Sequence, residues 1–124
     1  MKTFLASTLF LFLLVPQLLE AKDPPLSAEF VAFWKEFQSA VAKNDQEAVA
    51  ALSDLRLYYR DGRFSKAAFL KEYPFLFRRD VRKCFATAKP ETDRDNYFVG
   101  CGEELFYFGK VNGAYKFKDI GMND

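Results

Sequence analysis

The sequence has 124 residues, 50% of them hydrophobic and 18% aromatic, with 15 phenylalanines and no histidine. A total of 18 Lys and Arg against 17 Asp and Glu leaves a formal net charge of +1, a balance that gives no support to binding a polyanion such as nucleic acid. Two cysteines in a chain without histidine exclude a structural zinc site of the usual four-ligand kind.

Residues 1–21 read as a secretory signal peptide. Lys2 gives a basic start, and the apolar run from Phe4 to Val15 is shorter than the roughly 20 residues that a spanning helix needs. Pro16 breaks the run, and Ala21 offers a small residue for cleavage before Lys22. The expected product, residues 22–124, has the size of one small domain and is expected to be secreted or periplasmic. It has no second apolar stretch long enough to cross a membrane and no cysteine at its start for a lipid anchor. Export would place Cys84 and Cys101 in an oxidising compartment. A bridge between them would close a loop of about 17 residues, worth about 3 kcal/mol in the chain-entropy model. Two buried thiols, or pairing with another chain, are the alternatives.

Pro24-Pro25 stops any continuation of the signal helix, and Ser27 is suited to cap the next one. Phe30, Phe33, Trp34, Phe37 and Val41 recur at three- and four-residue steps, which predicts a helix over 28–43. Asn44 with Glu47 resembles a capping box for a shorter helix that buries Ala48, Val49, Ala51 and Leu52. Between Leu55 and Tyr59 the period changes to two, and Asp61-Gly62 suits a tight turn. Ser65 can cap a third helix over 66–73, which Pro74 either kinks or follows as a new first residue. Helical spacing resumes at Phe77, Val81 and Cys84.

Residues 86–96 are polar and predict a solvated loop. Strand signals follow at 97–101, 105–111 and 115–120, and Asn112-Gly113 is a strong hairpin signal. Gly100-Cys101-Gly102 either bends one long strand or separates two. The expected fold class is α+β, with N-terminal helices packed on a curved antiparallel sheet in a single domain. A two-residue turn at 112–113 pairs Val111 with Ala114, Phe108 with Phe117 and Phe106 with Asp119. One face then carries Phe106, Phe108, Tyr115 and Phe117 as the core. The other carries Leu105, Tyr107, Val111 and Ile120 among Lys116 and Lys118, as a solvent-facing or partner-facing sheet would.

Two stretches carry a family resemblance: Phe69-Leu70 with Tyr73, Leu76-Phe77 and Val81-Arg82, and the ending from Glu104 through Gly109, Asn112-Gly113, Tyr115 to Phe117 and Ile120. They resemble secreted members of the nuclear-transport-factor-two-like superfamily, of the SnoaL-like or cystatin-like cone type. The resemblance implies a sheet curved around helices into a cone, often with a cavity at the wide end. That superfamily includes isomerases, dehydratases and binding modules. Its enzymes commonly use His or Asp carried into the cone, and with no histidine present a His-based dyad does not transfer to this chain.

Asp119 is the candidate catalytic carboxylate. On the aromatic face opposite Phe106, desolvation would raise its pKa and suit it to proton transfer; at a solvated strand end it would be an ordinary carboxylate. Glu103 and Glu104 point to opposite faces of a strand and form no glycosidase pair by themselves. Trp34, Tyr58, Tyr97, Phe106, Phe108 and Phe117 could line a ligand cavity or fill a solid core. Arg78, Arg79, Arg82 and Lys83 make a positive band on a helix, either a solvated face or a docking surface for an acidic partner or an anionic polymer. No phosphate-binding glycine loop, nucleophile elbow, metal-ligand spacing or N-glycosylation acceptor occurs.

The expected function is a secreted or periplasmic non-enzymatic module that binds a small apolar ligand or an envelope or extracellular protein. It would use the cone mouth or the outer sheet face, where a homodimer could also form, and no cofactor or metal is expected. Two other classes compete: an isomerase- or dehydratase-like enzyme with Asp119 as acid-base, and a small inhibitor or immunity-type protein.

Overall fold

The computed structural model describes residues 26–58 and 65–122, with the backbone alone at 57 and 58. The expected signal segment and the Asp61-Gly62 turn lie outside the described residues. Helices come first and strands last: α1 (Ala28–Ala42), α2 (Gln46–Ala51), a 3₁₀ turn (Leu55–Tyr58), α3 (Lys66–Leu76), α4 (Arg79–Thr87), then β1 (Glu91–Asp93), β2 (Asn96–Cys101), β3 (Glu104–Val111) and β4 (Ala114–Met122). The strands form one open antiparallel sheet in the order β1-β2-β3-β4, and the class is α+β as the sequence predicts.

Local chemistry starts and stops each helix. Ser27 accepts from Phe30 N–H at 3.1 Å and caps α1, and Ser65 does the same for α3 through Ala68 N–H at 3.0 Å. α2 is capped by Asp45, which accepts from Ala48 N–H at 3.1 Å. Asn44 instead takes the left-handed conformation (φ 52°) that ends α1, a role for which Asn is one of the few side chains suited. The expected capping box is therefore one residue out. α3 runs through Pro74 to Leu76, so the proline is absorbed within the helix.

The aromatic stripe of α1 lies on the inner face of the sheet. Phe30, Phe37, Phe77, Phe106, Phe108 and Phe117 are all fully buried. Phe37 stands at the centre, with ring centroids 5.1 Å from Phe108, 5.8 Å from Phe85 and 6.0 Å from Phe117. Such tilted and edge-on pairs add roughly 0.5–1.5 kcal/mol each beyond area burial. Cys84 on α4 and Cys101 at the end of β2 form a disulfide, Cα atoms 5.8 Å apart. Gln38 of α1 donates to the carbonyls of Phe85 at 2.8 Å and Ala86 at 3.2 Å, tying α1 to the end of α4.

Two stretches differ from expectation. The alternation from Leu55 is a 3₁₀ turn rather than a strand, because the Asp54 carboxylate accepts from Arg56 N–H at 3.2 Å and turns the chain. Just before it, Phe117 N–H donates to Leu52 C=O and Asp54 N–H to Phe117 C=O, which covers the β4 edge. The expected 86–96 loop contains the end of α4 and strand β1. Polar residues suffice for β1 because it is an edge strand whose hydrogen bonds come from β2. Gly102 (φ 66°) separates β2 from β3 in a tight turn.

The Asn112-Gly113 turn, with φ 51° and 83°, gives the expected pairs of Val111 with Ala114 and Phe108 with Phe117. Beyond them the register changes. Tyr107 pairs with Asp119 and Phe106 with Ile120, so Lys118 is an extra residue in a β-bulge. Asp119 is therefore not opposite Phe106 on the aromatic face. It stands on the outer face and is exposed, while Ile120 turns inward and packs against the core.

Candidate outer-face groove

The sheet face opposite the helices carries an open groove of about 580 Å³. Its walls come from three places. Asp54 and Arg56 stand beyond the β4 edge, Asp93 and Asn96 flank the β1–β2 turn, and Tyr107, Lys118 and Asp119 rise from β3 and β4. Two glycines make the space. A Cβ on Gly109 would stand 2.2 Å from Asn96 Oδ1 and 2.9 Å from Lys118 Cδ, and one on Gly121 would stand 3.1 Å from Tyr107 Cε2. Both side chains and the tyrosine ring thus lie flat against bare backbone, the usual reason for glycine inside a strand.

The groove's charges divide into paired and unpaired groups. Arg56 Nε donates to Asp54 Oδ1 at 2.9 Å and its Nη2 to Oδ2 at 3.0 Å, a two-point contact. That hydrogen bond holds the Asp54 carboxyl below its ordinary range, outweighing the opposing effect of partial burial. Asp119 Oδ1 accepts from Ile120 N–H at 2.8 Å. Among the described residues, the side chains of Asp93 and Lys118 have no ion-pair or hydrogen-bond partner, and the Lys118 charge acts on Asp54 only as a minor contribution to its lowered pKa.

A second opening of about 620 Å³ shares Asn96 and Lys118 with the first and adds Arg94, Asp95, Tyr97, Lys110 and Tyr115. Here Tyr97 Oη accepts from Ser27 N–H at 3.3 Å, and Ser27 Oγ lies 3.3 Å from Tyr115 Oη. Hydrogen bonding with Ser27 holds the Tyr97 phenol below its usual pKa. Glu29 pairs with Lys110 at 3.0 Å and raises the pKa of its ammonium.

The residues singled out in the sequence fall in different places. Trp34, Phe106, Phe108 and Phe117 are buried and packed ring on ring, and neither opening is lined by them. Tyr97 lines the second opening. Tyr58 ends the 3₁₀ turn, and its side chain lies outside the described residues. Arg78 is not inside a positive helix band. It precedes α4 and is clamped by Glu104 at 2.7 Å and Asp80 at 2.9 Å. Arg82 donates to Phe77 C=O at 2.7 Å, and Arg79 and Lys83 are exposed.

Of the groove's lining, Tyr107 and Lys118 stand on the outer sheet face where the sequence places them, whereas Asp54, Arg56, Asp93 and Asn96 are not among the expected site residues. The available signal was Gly109 and Gly121, two interior strand glycines that mark close approach on one face.

In comparisons with known proteins, no family model matches the chain and no curated protein aligns with it significantly. Among the described residues, no helix is long and apolar enough to cross a membrane.

Proposed function

We propose that the chain is an exported, disulfide-closed binding module of non-enzymatic type that takes its ligand on the outer face of its sheet. The observation that carries this reading is the groove itself. Polar side chains from three chain segments converge on a floor that two glycines keep clear, on the face that the helices leave uncovered. An interior site for a small apolar molecule would need space among the rings of α1 and the sheet, and those rings are in contact with one another. The export half of the proposal draws on the signal-like residues 1–21 and on the Cys84–Cys101 bridge, a feature of oxidising compartments. The resemblance to the nuclear-transport-factor-two-like superfamily belongs to the same proposal, and a chain without histidine fits its binding modules better than its His-based enzymes.

The test is a fragment screen by amide NMR on residues 22–124. Hits are expected to shift Asn96, Gly109, Lys118 and Gly121. Hits that map instead to the small α1–α2 groove beside Ser39 and Leu52 would overturn the assignment.

A second reading is favoured by one observation. Phe75, 72% exposed, stands at the end of α3 beside Arg78, which reaches its carbonyl at 3.5 Å. An exposed aromatic near Arg79 and Lys83 fits docking to an acidic protein surface. Reversal of charge at Arg79 and Lys83 should then shorten retention on an immobilised polyglutamate matrix, and unchanged retention would remove this reading.

A further inference from the structure

We infer that the groove's ligand is a carbohydrate chain, stacked on Tyr107 and held through its hydroxyls by Asp93, Asn96 and Asp119. This rests on the preceding reading that the groove is the binding site, and it names the ligand class.

The first argument is shape. Sites for small apolar ligands are concave and enclose most of the ligand. This groove is open along the sheet and admits an extended molecule lying across it. The second is the aromatic. The Tyr107 ring rests against the bare backbone of Gly121 and lies near Phe98, ring centroids 5.9 Å apart and inclined by 38°. It is a rigid platform, amphipathic and with few rotatable bonds, of the kind that binding surfaces use at low entropic cost. A pyranose ring presents a matching C–H face.

The third argument is the set of polar groups. Asp93, Asn96 and Asp119 are short, planar side chains with two polar atoms each. A carboxylate accepts charge-assisted hydrogen bonds from hydroxyls, and two oxygens can take two neighbouring hydroxyls. Asp93 has both oxygens free, and Asp119 keeps one beyond its contact with Ile120 N–H. Lys118 and the Asn96 amide supply donors. Among the described residues that line this groove, the guanidinium of Arg56 is already engaged by Asp54. The unpaired groups are thus two carboxylates against one ammonium, a negative excess that disfavours phosphate- or sulfate-rich ligands. A hydroxyl-rich neutral chain satisfies all these groups together.

The experiment titrates labelled protein, residues 22–124, with cellohexaose, N-acetylchitohexaose and maltohexaose, and separately with hexalysine. At least one glycan is expected to shift Asn96, Gly109 and Gly121, with affinity changing less than about twofold between low and high salt because the ligand is uncharged. Tyr107→Ala should weaken binding by about tenfold or more, as truncation of a stacked anchor does, while Tyr107→Phe retains most of it. Failure of all three glycans overturns the carbohydrate assignment. Salt-sensitive binding of hexalysine alone at the same amides also overturns it, yet leaves the groove as a binding site. Glycan binding unaffected by Tyr107→Ala overturns the groove as well.

Discussion

Tyr73 offers a sharp stability test. It is 1% exposed on α3, with its ring 5.1 Å from that of Phe77, and its hydroxyl is buried without a hydrogen-bond partner. A buried donor left unsatisfied costs about 1–3 kcal/mol, whereas the apolar isostere in the same space carries no such penalty. Tyr73→Phe removes one oxygen and leaves the ring packing intact. We expect a gain of about 1 kcal/mol, which for a urea m-value of about 1–3 kcal/mol/M moves the midpoint up by about 0.3–1 M. Fluorescence of Trp34, buried against Phe85 and Phe108, reports the transition. Burial also raises the phenol's pKa in the folded state. Stability is therefore independent of this group below the unfolded value of about 10, and falls above it, as the unfolded chain ionises first, until pH passes the folded value. The advantage of Tyr73→Phe should therefore widen above about pH 10. A loss of more than about 1 kcal/mol at neutral pH would refute the reasoning, because it would mean that the hydroxyl has a partner.

The remaining expectations follow the same physics. Reducing the Cys84–Cys101 bridge, or replacing both residues by Ser, should cost about 3 kcal/mol in urea unfolding, since it frees a 17-residue loop. Asp54, its carboxyl held low by Arg56, contributes stability that is present above the unfolded pKa of about 3.9 and lost as pH falls through the folded value; Asp54→Asn should flatten the acid limb of a stability–pH curve. Gly109→Ala should keep the fold, at about 1 kcal/mol, but displace the Asn96 amide, visible as a side-chain NMR shift.

Most of the fold was legible because its signals are periodic and strong. The α1 stripe, the Ser27 and Ser65 caps and the Asn112-Gly113 turn each rest on a local rule that the structure obeys. What escaped the sequence depends on partners distant in the chain. Strand β1 is polar and short, and only pairing with β2 makes it a strand. The 55–58 segment alternates over too few residues for its period to decide, and Asp54 turns it. The groove was illegible for a related reason. Its walls come from three separate segments, around 54, 93 and 118, and the two floor glycines mark a close approach without saying which side chains make it.

The bulge at Lys118 decides which residues face the core. Without it, a regular ladder running from Phe117 would set Lys118 against Tyr107, Asp119 against Phe106 and Ile120 against Leu105. The carboxylate would then be inside and the isoleucine outside, since a shift of one residue exchanges the two faces. The extra residue absorbs the mismatch, so Tyr107 meets Asp119 and Phe106 meets Ile120. Deleting Lys118 should therefore leave both of these pairs in place on a regular ladder, costing at most about 2 kcal/mol, the size of an ordinary point mutation. Deleting Lys116 from the same strand has no bulge to absorb it at that position. It must turn Phe117, now fully buried, away from the core or distort the 112–113 turn, and loss of a buried Phe costs about 3–5 kcal/mol. Urea unfolding of the two deletions measures the difference. Equal destabilisation would refute the role given to the bulge, because a strand whose register is fixed by regular pairing alone should suffer alike at either position.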